Sequence, residues 1–420
     1  MRLIQLSMTN FPPFQDGEIN FPSIELGEDA SLATLAEVHL FTGENGSGKT
    51  RALAALMAAM GNLIPLQDRV REDSETELAV LGESEESLAP PGHPCPKWEF
   101  KRGHENAAHP NFPMQRIAST FAMAGTGMAL LEDAKVTPGV EMKPARANET
   151  LALSGQVGGG GIMQRLLNLR LFVALERDNN RNEESGRLAI CLLRLEHAIE
   201  EISGRKFSLL VQSGRELRLK AKWGEDELFF PELPDGMRSL LNWLAGWVVL
   251  QAEYFDESPS PLDEEVILFL DEPENHLHPA WQRRVLPALQ KLFKKAQIFV
   301  VSHSPFVVSS LNEGWIHKFT RGKNGLVSVE KAKKASRGDS YMTAVQEILD
   351  LSEWFDPETE AEIAMFERAL DEAYTNNGQS AEILRQRAAK LSNRSQEVTT
   401  LVANLMAQFE RSESKKTSKH

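Results

Sequence analysis

Strongly apolar runs alternate with amphipathic segments along much of the chain. The stretches "AEVHLFTG", "EVILFLDEP" and "QIFVVSHSP" are apolar almost throughout, which is typical of strands buried on both faces. Between the last two lies "PAWQRRVLPALQKLFKKA", where apolar residues recur at the three- and four-residue intervals of an amphipathic helix. The alternation predicts an α/β fold with a parallel sheet, to which "WIHKFTRG" adds a final strand.

The same pattern divides the chain into four parts. Short strands open the chain, a helical stretch interrupts it, and three more short strands precede the second set of buried strands. A region rich in Glu, Pro and Gly at 65–115 predicts an irregular insertion. The predicted parts are an N-terminal lobe over 1–124, a helical subdomain over 125–205, a C-terminal lobe over 206–325, and a helical extension with a polar tail over 326–420.

Composition indicates a globular chain with a substantial core, since 41% of its 420 residues are hydrophobic and 25% are charged. The two cysteines, Cys95 and Cys191, lack the spacing of metal ligands or of a disulfide framework. We find neither a signal peptide nor a run of some 18 apolar residues. These features predict a cytoplasmic protein without a membrane segment.

The net charge is -14, which argues against a surface built to wrap nucleic acid. Basic stretches such as "KLFKKAQ" and the C-terminal "RSESKKTSKH" are read as a solvated helix face and a frayed terminus. A local basic patch stays open, so nucleic acid is retained as an undecided partner.

The stretch "GENGSGKT" fits the pattern G-x-x-x-x-G-K-[ST] and lies between a buried strand and a helix, as a phosphate-binding loop requires. Its glycines let successive N–H groups point at phosphate oxygens. Lys49 is expected to reach the β- and γ-phosphates, and Thr50 to bind Mg²⁺. The predicted ATP-binding residues of this loop are Gly43, Glu44, Asn45, Gly46, Ser47, Gly48, Lys49 and Thr50.

Two further motifs should emerge at the same edge of the sheet. In "VILFLDEPENHLHP", Asp271 is expected to bind Mg²⁺ with Thr50, and Glu272 to polarise the attacking water. In "FVVSHSP", His303 follows a second buried strand and is expected to contact the γ-phosphate. Catalysis is therefore assigned to Lys49, Glu272 and His303. A metal site at the two histidines of "ENHLHP" is rejected, because a third ligand is not evident.

These motifs resemble the ATP-binding-cassette (ABC) ATPase family in its soluble SMC-like and OLD-like branch. The wording of "FLDEPENHLHPAWQRRVLPALQKL" and "VVSHSPFVVSSL" is similar to that of ATPases from bacterial anti-phage systems such as Septu and PARIS. The resemblance covers about residues 1–60 and 225–320. It implies an ABC-type nucleotide-binding domain that uses ATP and Mg²⁺ and forms a homodimer or higher homo-oligomer around the nucleotide.

Such ATPases also carry a signature at a helix start shortly before the Asp-Glu strand. "LALSGQVGGGG" at 151–161 lies too far upstream, so "LPDGMRSLL" is the better candidate, with Asp235 as a helix cap and Gly236 allowing close approach to a phosphate. Pro234 occupies the usual place of the signature serine, which implies slow hydrolysis. For the glutamine that links nucleotide to the helical subdomain in relatives, Gln115 is the candidate.

Two functions are weighed. The first is an ATPase that acts as a sensor or scaffold in phage defence and controls a separate effector, a nuclease. The alternative is a DNA-repair or chromosome-maintenance ATPase of the RecF or SMC type that acts directly on DNA. Residues 320–420 are too short and too helical for the TOPRIM nuclease domain of OLD-type relatives, so any nuclease is expected on another chain.

Overall fold

The computed structural model describes fourteen ranges of the chain, and all structural statements concern these residues. They fall into two compact units, Met1–Leu349 and Asp350–His420. The described ranges are 2–23, 35–67, 69–70, 76–83, 97–102, 121–131, 150–151, 161–178, 182–212, 217–335, 341, 344–348, 355–375 and 381–417.

Unit 1 combines strands with helices. Its strands are β1 (Arg2–Thr9), β2 (Gly17–Asn20), β3 (Glu37–Gly43), β4 (Thr76–Glu83), β5 (Lys97–Arg102), β6 (Phe121–Thr126), β7 (Phe207–Gln212), β8 (Arg218–Trp223), β9 (Asp226–Phe229), β10 (Val266–Asp271), β11 (Ala296–Val301), β12 (Trp315–Arg321), β13 (Val327–Val329) and β14 (Lys333–Lys334). Its α-helices are α1 (Lys49–Ala59), α2 (Ile64–Gln67), α3 (Gly161–Asp178), α4 (Asn182–Ser203), α5 (Asp235–Leu240), α6 (Gly246–Tyr254), α7 (Pro279–Leu292) and α8 (Pro305–Val308).

A seven-stranded sheet forms the centre of unit 1, in the order β13-β12-β3-β11-β10-β6, with β14 also paired to β12. The five strands β12, β3, β11, β10 and β6 run parallel to one another. Their carboxyl ends therefore meet at one edge, where ligands bind in open α/β sheets. The sheet confirms the predicted α/β fold class.

Both faces of this sheet are covered, which explains why its strands are apolar without alternation. Along β10, Leu268 and Leu270 face one hydrophobic cluster, which also contains residues of α3, α4, α6 and α7. Ile267 and Phe269 face a second cluster on the other side, which includes most of α1. All four side chains are completely buried. The edge that carries the motifs thus rests on a rigid, two-sided core.

Two smaller sheets flank the central one. An antiparallel sheet has the order β2-β1-β4-β5, so part of the predicted irregular insertion is regular strand. The three short strands predicted after the helical stretch are present as the antiparallel sheet β7-β8-β9. Strand β6 was not foreseen, because "FAMAGT" is short and contains a single β-branched residue, Thr126.

The remaining helices follow the sequence pattern. α5 continues through a π-helical turn (Leu241–Ala245) into α6. Unit 2 consists of α9 (Pro357–Thr375), α10 (Ala381–Leu391) and α11 (Gln396–Thr417), which share an apolar core around Phe366. The four predicted domain boundaries stay predictions. Within the described residues, no helix combines the length and apolarity needed to cross a membrane.

Candidate nucleotide site

The glycine-rich loop joins β3 to α1 and adopts backbone angles that favour glycine. The φ angles of Gly43, Gly46 and Gly48 are 139°, 77° and 85°. A Cβ atom on Gly43 would lie 2.2 Å from the carbonyl oxygen of Phe319, and one on Gly48 would lie 2.7 Å from the ring of Phe14. The two outer glycines are therefore required by both conformation and space. Loops of this type direct successive backbone N–H groups at phosphate oxygens.

Lys49 folds back across this loop. Its ammonium group donates hydrogen bonds to the carbonyl oxygens of Gly43 at 3.1 Å and Glu44 at 2.7 Å, and to the hydroxyl of Ser47 at 3.1 Å. Burial lowers the pKa of Lys49 to about 8, although the nearby carboxylates of Glu272 and Asp271 favour its charged form. The oxygens that accept its hydrogen bonds are neutral, and a bound phosphate would place a negative charge directly at the ammonium group.

Thr50 and Asp271 face each other where β10 ends beside α1. The threonine hydroxyl donates a hydrogen bond of 3.2 Å to Oδ1 of Asp271. Burial and the neighbouring Glu272 raise the pKa of Asp271 to about 6. A hydroxyl and a carboxylate are the hard oxygen donors that Mg²⁺ accepts together with substrate phosphates. Within the described residues there is no group of three or more His, Cys, Asp or Glu side chains that could hold a metal ion.

Glu272 and His303 stand opposite the loop at the ends of β10 and β11. Glu272 has a left-handed backbone conformation, with a φ of 49°, and its Oε2 accepts a hydrogen bond of 2.8 Å from the side-chain amide of Asn275. His303 Nε2 lies 4.0 Å from Glu272 Oε1. Burial and the charge of Lys49 lower the pKa of His303, which favours a neutral ring.

The loop, the carboxylate and the histidine enclose one open cavity of about 620 Å³. Nearly all the residues placed there by sequence reasoning lie together in this part of the fold. The cavity is lined by Pro13, Asn45, Gly46, Gly48, Lys49, Thr50, Arg51, Glu272 and His303.

The signature-like helix behaves differently from the expectation. Asp235 does not cap α5, because the capping position is Pro234 and this residue makes no side-chain capping bond. Asp235 is instead exposed and pairs with Arg238 at 3.4 Å. A Cβ atom on Gly236 would lie 2.6 Å from the carbonyl oxygen of His276, so this glycine lets α5 pack against the segment after Glu272. Neither Asp235 nor Gly236 lines the cavity.

Some residues singled out from the sequence lie outside the described residues, and some contacts were not foreseen. Gln115, Cys95 and residues 152–160 of the "LALSGQVGGGG" stretch belong to the first group. In the second, a Cβ atom on Gly127 would lie 2.1 Å from the carbonyl oxygen of Glu272, so the turn after β6 packs against the end of β10. The only sequence signal for this contact is the glycine in "AGTGM".

A parallel sheet that carries a phosphate loop, an Asp-Glu pair and a histidine at its carboxyl edge defines the fold of an ABC-type P-loop ATPase. Residues 220–309 match the family described as "AAA domain, putative AbiEii toxin, Type IV TA system". Over 122 residues, or 29% of this chain, the sequence is 29% identical to "Retron Ec83 probable ATPase" of Escherichia coli. Over 152 residues, or 35% of this chain, it is 26% identical to "Septu protein PtuA" of Bacillus thuringiensis.

The Septu match confirms the resemblance to ATPases of anti-phage systems. The matched stretches span 22% of the retron protein and 38% of PtuA. Similar solved structures include an SMC head bound to the C-winged helix domain of ScpA (15% identity, 80% of this chain, 98% of that chain, TM-score 0.45) and RecF with ATPγS (13%, 78%, 97%, 0.38). These likenesses are distant, and the fold class follows from the strand order and the phosphate loop.

Proposed function

We propose that this chain binds and hydrolyses ATP at the cavity between the phosphate loop and Glu272. The observation that carries the proposal is the convergence of Lys49, Thr50, Asp271, Glu272 and His303 at one edge of the sheet. The amides of the loop bind the β-phosphate, and Lys49 exchanges its carbonyl partners for β- and γ-phosphate oxygens. Thr50 and Asp271 hold Mg²⁺, which when bound neutralises phosphate charge.

Glu272 supplies the base in this proposal. Its carboxylate accepts a hydrogen bond from a water molecule and orients that water for attack on the γ-phosphate. Asn275 fixes the far oxygen of that carboxylate, which leaves Oε1 directed toward His303. A neutral His303, which the direction of its pKa shift favours, can donate its one ring N–H to a γ-phosphate oxygen.

The proposal includes dimerisation around the nucleotide. The cavity is open, and the start of α5 at the exposed Asp235 is the surface offered to the γ-phosphate of a second copy, with the buried Gly236 packed behind it against His276. Because Pro234 supplies no hydroxyl there, slow turnover is part of the proposal.

At the level of the cell, the proposed role is that of a cytoplasmic sensor or scaffold in phage defence. ATP binding would set the state of a separate nuclease on another chain. Support comes from the similarity to PtuA and to the retron ATPase. The alternative function is direct action on DNA. In that case DNA would stimulate ATP turnover without any effector protein.

A phage challenge of cells that carry the gene with its neighbouring reading frames tests this role. We expect protection by the wild type, loss of protection in Lys49→Ala, and retention in Glu257→Gln, a control at an exposed position away from the cavity. The purified chain should not cleave DNA with Mg²⁺ or Mn²⁺. Equal protection by Lys49→Ala would reject the role of ATP, and DNA-stimulated turnover without protection would favour the alternative.

A further inference from the structure

Two loops that bear catalytic groups are tied together by the side chain of Glu274. This residue follows Glu272 by two positions, and its Oε1 accepts hydrogen bonds from the backbone amides of His303 at 2.8 Å and Ser304 at 3.2 Å. Both amides belong to the loop after β11. One carboxylate oxygen thus holds the backbone on which the His303 ring is mounted.

Gln282 on α7 makes a second set of hydrogen bonds between the segment after Glu272 and the loop after β11. Its side-chain amide donates to the carbonyl oxygens of Glu274 at 3.3 Å and Leu277 at 2.9 Å, while its oxygen accepts from the hydroxyl of Ser304 at 2.5 Å. The Ser304 hydroxyl also accepts from the amides of Phe306 and Val307, which caps α8. The loop after β11 is therefore anchored at both its backbone and its side chains.

The location of this tie gives it a role beyond local stability. The backbone amide of Glu272 donates to the carbonyl oxygen of Val301 at 2.9 Å, which sets the spacing of the two strands up to this point. Both strands end there, at Asp271 and Val301, and His303 Nε2 lies 4.0 Å from Glu272 Oε1. Within the described residues, Glu274 bridges the two loops directly after the strands end.

We propose that Glu274 is a positioning residue: it fixes the backbone of His303 so that the imidazole faces the γ-phosphate position. This inference rests on the proposed ATPase function, since it assigns His303 that contact. Without the carboxylate oxygen, the His303 amide loses its acceptor and the Ser304 amide keeps only the Ser302 hydroxyl at 3.0 Å, so the loop relaxes to recover hydrogen bonds. The histidine then moves away while the phosphate loop keeps its own geometry.

An acceptor oxygen, rather than negative charge, is the feature required. Glu274→Gln keeps a carbonyl oxygen at the same reach and should therefore preserve both amide bonds. Glu274→Leu has a similar volume and no acceptor. Both variants keep the side-chain volume and only Glu274→Leu lacks the acceptor oxygen. Comparing them therefore isolates the effect of the two lost hydrogen bonds.

Nucleotide affinity supplies the first readout. In Glu274→Leu we expect the dissociation constant of a non-hydrolysable ATP analogue to rise about tenfold and turnover to fall at least as much, with ADP affinity within about twofold of wild type. His303→Ala should show the same selective loss for the triphosphate. Glu274→Gln should match wild type, as should the exposed control Glu257→Leu.

Amide hydrogen exchange supplies a readout that needs no turnover. Peptides covering residues 301–306 should exchange faster in Glu274→Leu and at the wild-type rate in Glu274→Gln, with the melting temperature reported for each variant. Equal loss of ADP and analogue binding in Glu274→Leu, or unchanged exchange, would overturn the proposal. If wild-type protein binds neither nucleotide, the ATPase proposal fails, and exchange alone decides whether Glu274 holds the loop.

Discussion

Glu272 directly follows β10 and has a left-handed backbone conformation, with one carboxylate oxygen held by Asn275 and the other facing His303. Replacing it with glutamine keeps the shape and the hydrogen bond to Asn275 but removes the basic oxygen. We expect Glu272→Gln to bind ATP as wild type does and to lose turnover by about 10²- to 10⁴-fold.

Titration calorimetry with the ATP analogue and a phosphate-release assay measure the two properties separately. Lys49→Ala is the matched contrast, because it removes a group that contacts phosphate and should weaken binding itself. Hydrolysis by Glu272→Gln at the wild-type rate would show that another group orients the water.

The sequence was informative for these residues because each sits in a short motif whose spacing is set by backbone geometry. Gly43, Lys49, Asp271 and His303 could all be assigned before the fold was known. Asn275 and Glu274 could not, since their roles depend on which loop lies opposite. The capping role expected of Asp235 was wrong because Pro234 occupies the N-cap position and Asp235 is already the first residue of α5.

Among the elements, β3 and β12 share a buried polar contact that no sequence motif predicts. His39 Nδ1 lies 3.1 Å from His317 Nε2, and His39 Nε2 lies 2.8 Å from Oε1 of Glu37. Both rings are almost completely buried. Burial lowers the pKa of His39, and burial together with the adjacent His39 lowers the pKa of His317 well below its ordinary value.

A lowered pKa in the fold makes stability sensitive to acid. The unfolded chain binds protons at its histidines near pH 6.5, whereas the fold excludes them, so the free energy of unfolding falls as pH drops below about 6.5. For one histidine the loss between pH 7 and 5.5 is about 1 kcal/mol.

His317→Gln tests this effect, because glutamine retains a hydrogen-bonding group near His39 and does not titrate. We expect the denaturant midpoint of the variant to fall less than that of wild type between pH 7 and 5.5. Comparison with wild type cancels carboxyls such as Glu253, whose pKa burial raises to about 7 and which act in the opposite direction. Identical pH slopes in both proteins would mean that the His317 ring already titrates in the fold.

Strands with long hydrophobic runs were predicted correctly. A strand that is specified by its contacts with a neighbouring strand was missed. The strands β10 and β11 carry long apolar runs and β3 a shorter one, and all three were predicted correctly. Strand β6 is specified by its place beside β10, with Thr126 in register with Asp271, rather than by its own composition. The glycine at 127 matters for the same reason, since it admits the backbone of Glu272.

We propose that the whole molecule is an ATPase whose nucleotide sites are completed by a second copy of the chain. The open cavity and the exposed start of α5 are the two surfaces that would meet. Gly236 is a poor probe of this contact, because a side chain there would strike the carbonyl oxygen of His276 in its own subunit. The exposed Asp235 is the better position.

Light scattering of Glu272→Gln in the presence of ATP and Mg²⁺ tests that claim most directly. Because this variant binds but does not hydrolyse, we expect its mass to rise to a dimer or a multiple of it with ATP and to stay unchanged with ADP. Adding Lys49→Ala or Asp235→Trp to the same chain should prevent the rise, and adding Glu257→Trp should not. A mass that is the same with ATP, with ADP and without nucleotide would contradict the account.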